Sequence, residues 1–108
     1  MVKSEKLDLV FHALSDSTRR AILYDVSTSE KNVGDIARPY KMSLAAVSKH
    51  LKVLESAHLI KRQKRGSFQM VRLNAEGLKT AEEWILHYQQ FWGSKLDALQ
   101  NFLEKREI

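Results

Sequence analysis

The chain has 108 residues, with 18 Lys and Arg against 13 Asp and Glu, one proline and no cysteine, so disulfide scaffolds, thiolate metal sites and thiol nucleophiles are excluded. Its length suits a single domain spanning 1–108, and 44% apolar with 29% charged residues is the balance of a folded, soluble chain. No stretch nears the roughly 18 apolar residues of a membrane span, and the opening MVKSEKLDLV lacks a signal-peptide core, so a cytoplasmic protein with no membrane partner is expected.

Leu7, Val10, Phe11 and Leu14 recur at spacings of three and four, which predicts a short amphipathic helix. Ser15 to Thr18 offer N-caps to a second, whose apolar face runs from Ala21, Ile22 and Leu23 to Val26. Ser27 to Asn32 read as a polar loop. Val33, Ile36 and Ala37 mark a third helix, ended by Pro39, which disfavours helix at Arg38. Ser43 is a good N-cap for a fourth, from Leu44 to about Ala57. At about 100° per residue, Val47, Leu51 and Leu54 share one face with Leu44 beside them. Ala45, Lys49, Lys52 and Ser56 gather at the opposite pole, with Ala46 and Ser48 on its flanks.

The period then changes. Leu59 to Lys64 and Phe68 to Leu73 are β-compatible runs around Arg65-Gly66-Ser67, which predicts a hairpin with glycine at its tip. Asn74 caps a long helix from about Ala75 to Arg106, with Gly93-Ser94 as its one plausible break. The fold class is therefore mainly α with a small β-hairpin.

The charge is unevenly spread. Residues 41–72 hold Lys41, Lys49, Lys52, Lys61, Arg62, Lys64, Arg65 and Arg72 against Glu55, a net of +7 in a chain of net +5. A basic segment in a slightly acidic chain is the electrostatic footprint of nucleic-acid binding. Two helices joined by a turn, then a basic hairpin, form a winged helix-turn-helix, and its second helix must enter a major groove about 12 Å wide. Ala45, Ala46 and Ser48 are small enough to bring that helix close to base edges. Ser43, Ser48 and Lys49 can donate to bases or phosphates, and Lys41 and Lys52 lie where the groove walls would be. The hairpin would set Lys61, Arg62, Lys64, Arg65 and Arg72 along an adjacent stretch of backbone or in the minor groove. His50, between the inner and outer faces, is placed as a phosphate contact or a structural hydrogen bond. Of Arg19 and Arg20, one is expected to pair with an acid and the other to touch phosphate. The expected partner is double-stranded DNA.

The residues DSTRRAIL (16–23), MSLAAVSKHLKVLE (42–55) and Leu59-Ile60 before a basic hairpin resemble the ArsR family of winged-helix repressors. The resemblance implies a homodimeric repressor on a palindromic operator, with the first and last helices as the dimer interface. The chain departs from the family's pattern at several points. The cysteine pair of thiolate sensors is absent, and so is half of the carboxylate–histidine motif on the last helix, of which Glu83 and His87 remain. His58 stands where a glycine is usual, in a left-handed position that histidine tolerates. Ser67 replaces an arginine of the wing. No cofactor and no metal site are expected, and an effector protein or small molecule stays open as a partner.

The last helix carries Trp84, Ile85, Tyr88, Phe91, Trp92, Leu96, Leu99, Phe102 and Leu103, more apolar surface than a chain this short can cover. With Leu7, Val10, Phe11 and Leu14 it is assigned to a two-fold dimer, helices 7–14 and 75–106 forming the interface. No catalytic set is found: Ser48 and His50 lie about 200° apart on their helix, and Ser15 with Asp16 is explained by capping. The sequence reading is thus a sequence-specific DNA-binding transcriptional regulator, not an enzyme. A ligand- or metal-responsive sensor of the same fold and a winged-helix protein-interaction module stand as alternatives.

Overall fold

The computed structural model describes residues 5–106; Met1 to Ser4 of the opening segment, with Glu107 and Ile108, lie outside them. The elements run α1 (Glu5–Leu14), α2 (Ser17–Thr28), β1 (Lys31–Asn32), α3 (Val33–Ala37), α4 (Leu44–Ser56), β2 (Ile60–Arg65), β3 (Phe68–Leu73) and α5 (Ala75–Arg106). Side-chain caps set several helix starts. Asp16 accepts the Arg19 N–H at 3.0 Å, Asn32 the Asp35 N–H at 2.8 Å and Ser43 the Ala46 N–H at 3.1 Å, each satisfying a donor that has no partner within its helix.

One core joins the elements before α5 and takes in Ala81 of α5. Val10 and Ala13 of α1, Ile22, Leu23 and Val26 of α2, and Ile36 of α3 close around Val47, Leu51 and Leu54 of α4. Leu59, Ile60 and Val71 seal the side facing the sheet. Helix α3, the turn after it and α4 form the helix-turn-helix, and β2 with β3 forms the wing. The two strands pair from Ile60 opposite Leu73 to Arg65 opposite Phe68, which leaves Gly66 and Ser67 as a two-residue turn. Gly66 takes φ of 61°, the left-handed first position that such a turn asks of glycine.

Four features depart from the sequence reading. Lys31 and Asn32, expected in a loop, pair antiparallel with Val71 and Met70, giving a three-stranded sheet of order β1-β3-β2. Helix α5 continues through Gly93 and Ser94 without a break, about 48 Å at 1.5 Å per residue. Leu44, expected near the inner face, is 63% exposed, because the first turn of α4 projects past the core. Val10, expected in the dimer interface, is 1% exposed; it and Leu14 face α1's own neighbours.

The end of α4 takes a form that the sequence did suggest. His58 has φ of 57°, its N–H reaches the Glu55 carbonyl at 3.0 Å, and the Leu59 N–H reaches that of Leu54 at 3.0 Å. These two bonds make a Schellman cap, with buried Leu59 against Leu54 as its apolar contact. The start of α5 is pressed onto this corner. The Gly77 N–H donates to the His58 carbonyl at 2.8 Å, and a Cβ on Gly77 would lie 2.5 Å from the Ala57 oxygen.

Candidate nucleic-acid interface

Helix α4 divides its residues by environment. Val47, Leu51 and Leu54 are fully buried, while Ala45, Lys49, Lys52 and Ser56 face solvent on the other side. Ser43 and Lys41 are exposed just ahead of the helix, and Ala46 and Ser48 are half-buried at its flanks. The Ser43 oxygen accepts the capping bond, which leaves its O–H free to donate outward. Lys52, nearer the C-terminus, borders a shallow groove shared with Leu9 and His12 of α1. Exposed Leu44 adds an apolar side chain to this surface that the sequence reading had turned inward.

The basic wing residues do not share one surface. Directly paired residues lie on the same face of a sheet, and faces alternate along each strand. Arg62 and Lys64 therefore lie on the face of buried Ile60 and Val71 and half-buried Leu73, the side that α4 packs against. Lys61 and Arg72 oppose each other on the outer face, which also carries Arg65. Lys61, Arg62, Lys64, Arg65 and Arg72, expected along neighbouring backbone or in the minor groove, are thus divided between the two faces of the wing.

Two of these arginines are held within the fold. The Arg62 guanidinium donates to Glu55 Oε1 at 3.0 and 3.3 Å and is 18% exposed, so it ties the wing to the last turn of α4. Arg65 bonds Glu30, the residue before β1. The acids Glu55 and Glu30 were not singled out from the sequence, since nothing in their spacing announces contacts across seven and thirty-five positions. Lys41, Lys49, Lys52, Lys61, Lys64 and Arg72 remain solvent-facing cations.

His50 also turns inward. Its Nδ1 lies 3.5 Å from an Arg19 guanidinium nitrogen and 4.0 Å from Asp16 Oδ2, which makes it a contact between α4 and the α1–α2 corner. Arg19 itself donates to the Ala13 carbonyl at 2.8 Å and the His12 carbonyl at 2.9 Å, and Arg20 donates to that of Leu14 at 2.7 Å. Both arginines thus cap the C-terminal end of α1, where cations are favoured; Arg19 is the one of the two whose charge also acts on an acid, Asp16. The Arg19 N–H bond holds the Asp16 carboxyl below the usual carboxylate range against partial burial, helped by the charges of Arg19 and His50.

The residues assigned to a dimer split in the same manner. Phe11 packs edge-on against Trp84 with ring centroids 5.3 Å apart, and Trp84 continues to Tyr88 at 4.5 Å. These three rings keep a large exposed surface, as do Phe91, Trp92 and Leu99, whereas Leu7 is half-buried. Leu9, which the periodicity did not include, is also exposed, on the side of α1 that faces Lys52. Among the described residues no three His, Asp or Glu side chains gather into a metal-binding group, and no helix is long and apolar enough to cross a membrane.

The family described as "Bacterial regulatory protein, arsR family" matches residues 16–62, from the cap of α2 to the tie at Arg62. The chain is 39% identical over 97 residues to the HTH-type transcriptional regulator Rv2034 of Mycobacterium tuberculosis, covering 90% of this chain and 88% of that protein. It is 35% identical over 79 residues to the transcriptional repressor SdpR of Bacillus subtilis, covering 73% and 88%. A crystal structure of an ArsR family transcriptional regulator superposes with a TM-score of 0.80 at 33% identity, over 87% of this chain and 98% of that one. With this helix-turn-helix, basic outer face and wing, the chain belongs to the ArsR family and is a DNA-binding transcriptional regulator.

Proposed function

We propose that the protein is a repressor that binds an inverted-repeat operator as a homodimer, in the cytoplasm and without catalysing a reaction. The observation that carries this reading is the division of α4: three buried aliphatic side chains fix its orientation, and the opposite face offers small residues and lysines. In this reading Ser43, Ala45, Ala46, Ser48 and Lys49 meet base edges in the major groove, with Lys41 and Lys52 on the flanking phosphates. Lys64 contacts backbone from the α4 side of the wing, and Arg65, which bonds Glu30 but is 56% exposed where Arg62 is 18%, does so at its tip. Arg62 and His50 hold α4 and the wing in place instead of touching DNA. Arg72, on the outer face, adds to the long-range field.

The dimer is supported by exposed Phe11, Trp84, Tyr88, Phe91, Trp92 and Leu99, an aromatic and aliphatic face left largely uncovered among the described residues. A two-fold pairing would present two copies of α4 about 34 Å apart, one turn of DNA.

The test is a titration of labelled DNA from the gene's own upstream region, followed by fluorescence anisotropy at rising salt. Log affinity should fall linearly with log salt, by about 0.9 per neutralised phosphate. Lys64→Ala should weaken all sequences alike and flatten that slope, whereas Ser48→Ala should change which sequences are preferred. Absence of binding to that DNA at about 100 mM salt, where several phosphate contacts still give measurable affinity, would overturn the reading.

A further inference from the structure

Helix α5 has two glycines, and only one of them is explained within the chain. Gly77 is required by the carbonyl oxygens of Ala57 and His58, which a Cβ would meet at 2.5 and 2.8 Å. At Gly93 an added Cβ meets nothing within 4 Å, φ is not positive, and the helix runs on unbroken. Glycine in a helix interior is unfavourable relative to alanine, so a position with no internal need for it points to a need outside the chain. Gly93 also lies in a groove of about 500 Å³ on the exposed face of α5, with Tyr88, Trp92 and Leu96 among its walls.

We infer that Gly93 marks the closest approach of two α5 helices in the dimer, the missing side chain allowing an antiparallel crossing there. This rests on the dimer reading and adds where and how the copies cross. A second copy is the occupant for two reasons. First, the groove is continuous with the exposed face from Trp84 to Leu103, so one symmetric contact covers both. Second, the helix carries complementary charge at its two ends. Residues 75–90 hold Glu76, Glu82 and Glu83 against Lys79, a net of −2, and residues 91–106 hold Lys95, Lys105 and Arg106 against Asp97 and Glu104, a net of +1. An antiparallel crossing centred near Gly93 lays each half over the opposite half of its neighbour, whereas a parallel one would set like against like. Lys95 lies beside the crossing with its ammonium 4.6 Å from the Trp92 ring centroid, so it keeps a favourable contact as water is excluded.

The experiment is sedimentation equilibrium on the full chain, its Gly93→Ala variant and its Ser94→Ala variant, with helix content followed by circular dichroism. Alanine at 93 strengthens the isolated helix, so a loss of fold is not the anticipated cause of any effect. The wild type should be a dimer, and Gly93→Ala should raise the dimer dissociation constant about tenfold or more, since one added methyl overpacks a close crossing. Ser94→Ala should leave it unchanged. A Gly93→Ala variant that dimerises as tightly as the wild type overturns the crossing and leaves the dimer standing. A monomeric wild type removes the dimer reading, and the crossing with it.

Discussion

Helices α4 and α5 are both amphipathic, and the chain treats them in opposite ways. The apolar face of α4 is spent inside the protein, on Val47, Leu51 and Leu54, and its ends are secured by the Ser43 cap and the Schellman turn at His58. Of the 32 residues in α5 only Gly77 and Ala81 are buried, while its aromatic and aliphatic side chains face outward. The difference separates two tasks. A helix whose hydrophobic face is satisfied internally has a polar face free for another molecule, and one whose hydrophobic face is left bare is completed by association.

The comparison breaks most sharply at the cores of the two helices. Leu51→Ala should lower unfolding free energy by about 2–5 kcal/mol, because the cavity opens where all sides are packed. Leu99→Ala should leave the unfolding of a dilute, monomeric sample nearly unchanged and weaken association instead. Paired urea melts across a range of protein concentrations distinguish the two. Equal losses at every concentration would mean that Leu99, like Ala81 near the start of α5, packs into the core of α4.

Gly77→Ala tests a place where the two helices' surroundings meet. Its Cβ would strike backbone carbonyls that cannot rotate away, and a cost of about 1–3 kcal/mol is expected, read from the urea midpoint. Arg62→Ala should have a smaller effect, about 1 kcal/mol, since its partner Glu55 is partly solvated. It should also loosen the wing, visible as faster amide exchange in β2 than in α4.

The smallest effect concerns pH. The folded Asp16 carboxyl titrates below its ordinary value near 3.9, so its contribution to stability is complete above that value and is lost as pH falls through the folded one. Asp16→Asn should flatten stability against pH only in this acid range, as followed by urea midpoints from about pH 6 to 3. An unchanged profile would show that the Arg19 and His50 contacts do not stabilise the charged form.

Much of the fold was legible because the periodicity of α1 to α4 reports burial within one chain. The wing was announced by its change of period and its glycine, and His58 by the family resemblance, which sets a glycine at that position. Strand β1 was hidden, since two polar residues carry no pattern and their pairing with Met70 and Val71 is set from forty residues away. Periodicity also placed Val10 and Phe11 on one stripe, although the first faces its own chain and the second the outside; an apolar repeat does not say whose surface covers it. Among the basic residues the sequence showed the charge but not its use. An arginine bonded to a carboxylate, as Arg62 is to Glu55, and one available to a phosphate are the same residue at the same spacing, and only the position of the acid tells them apart.

That bond between Arg62 and Glu55 has a mechanical consequence. It joins the root of the wing to the final turn of α4, so that, on the proposed reading, the helix entering the groove and the hairpin on the neighbouring backbone would act as the two jaws of one caliper. The caliper's opening is built into each subunit. In a paired assembly the remaining adjustable length is the one between calipers, which the long outer helix would set, so a change in operator spacing would be accommodated by altering α5 while the reading head stays as it is.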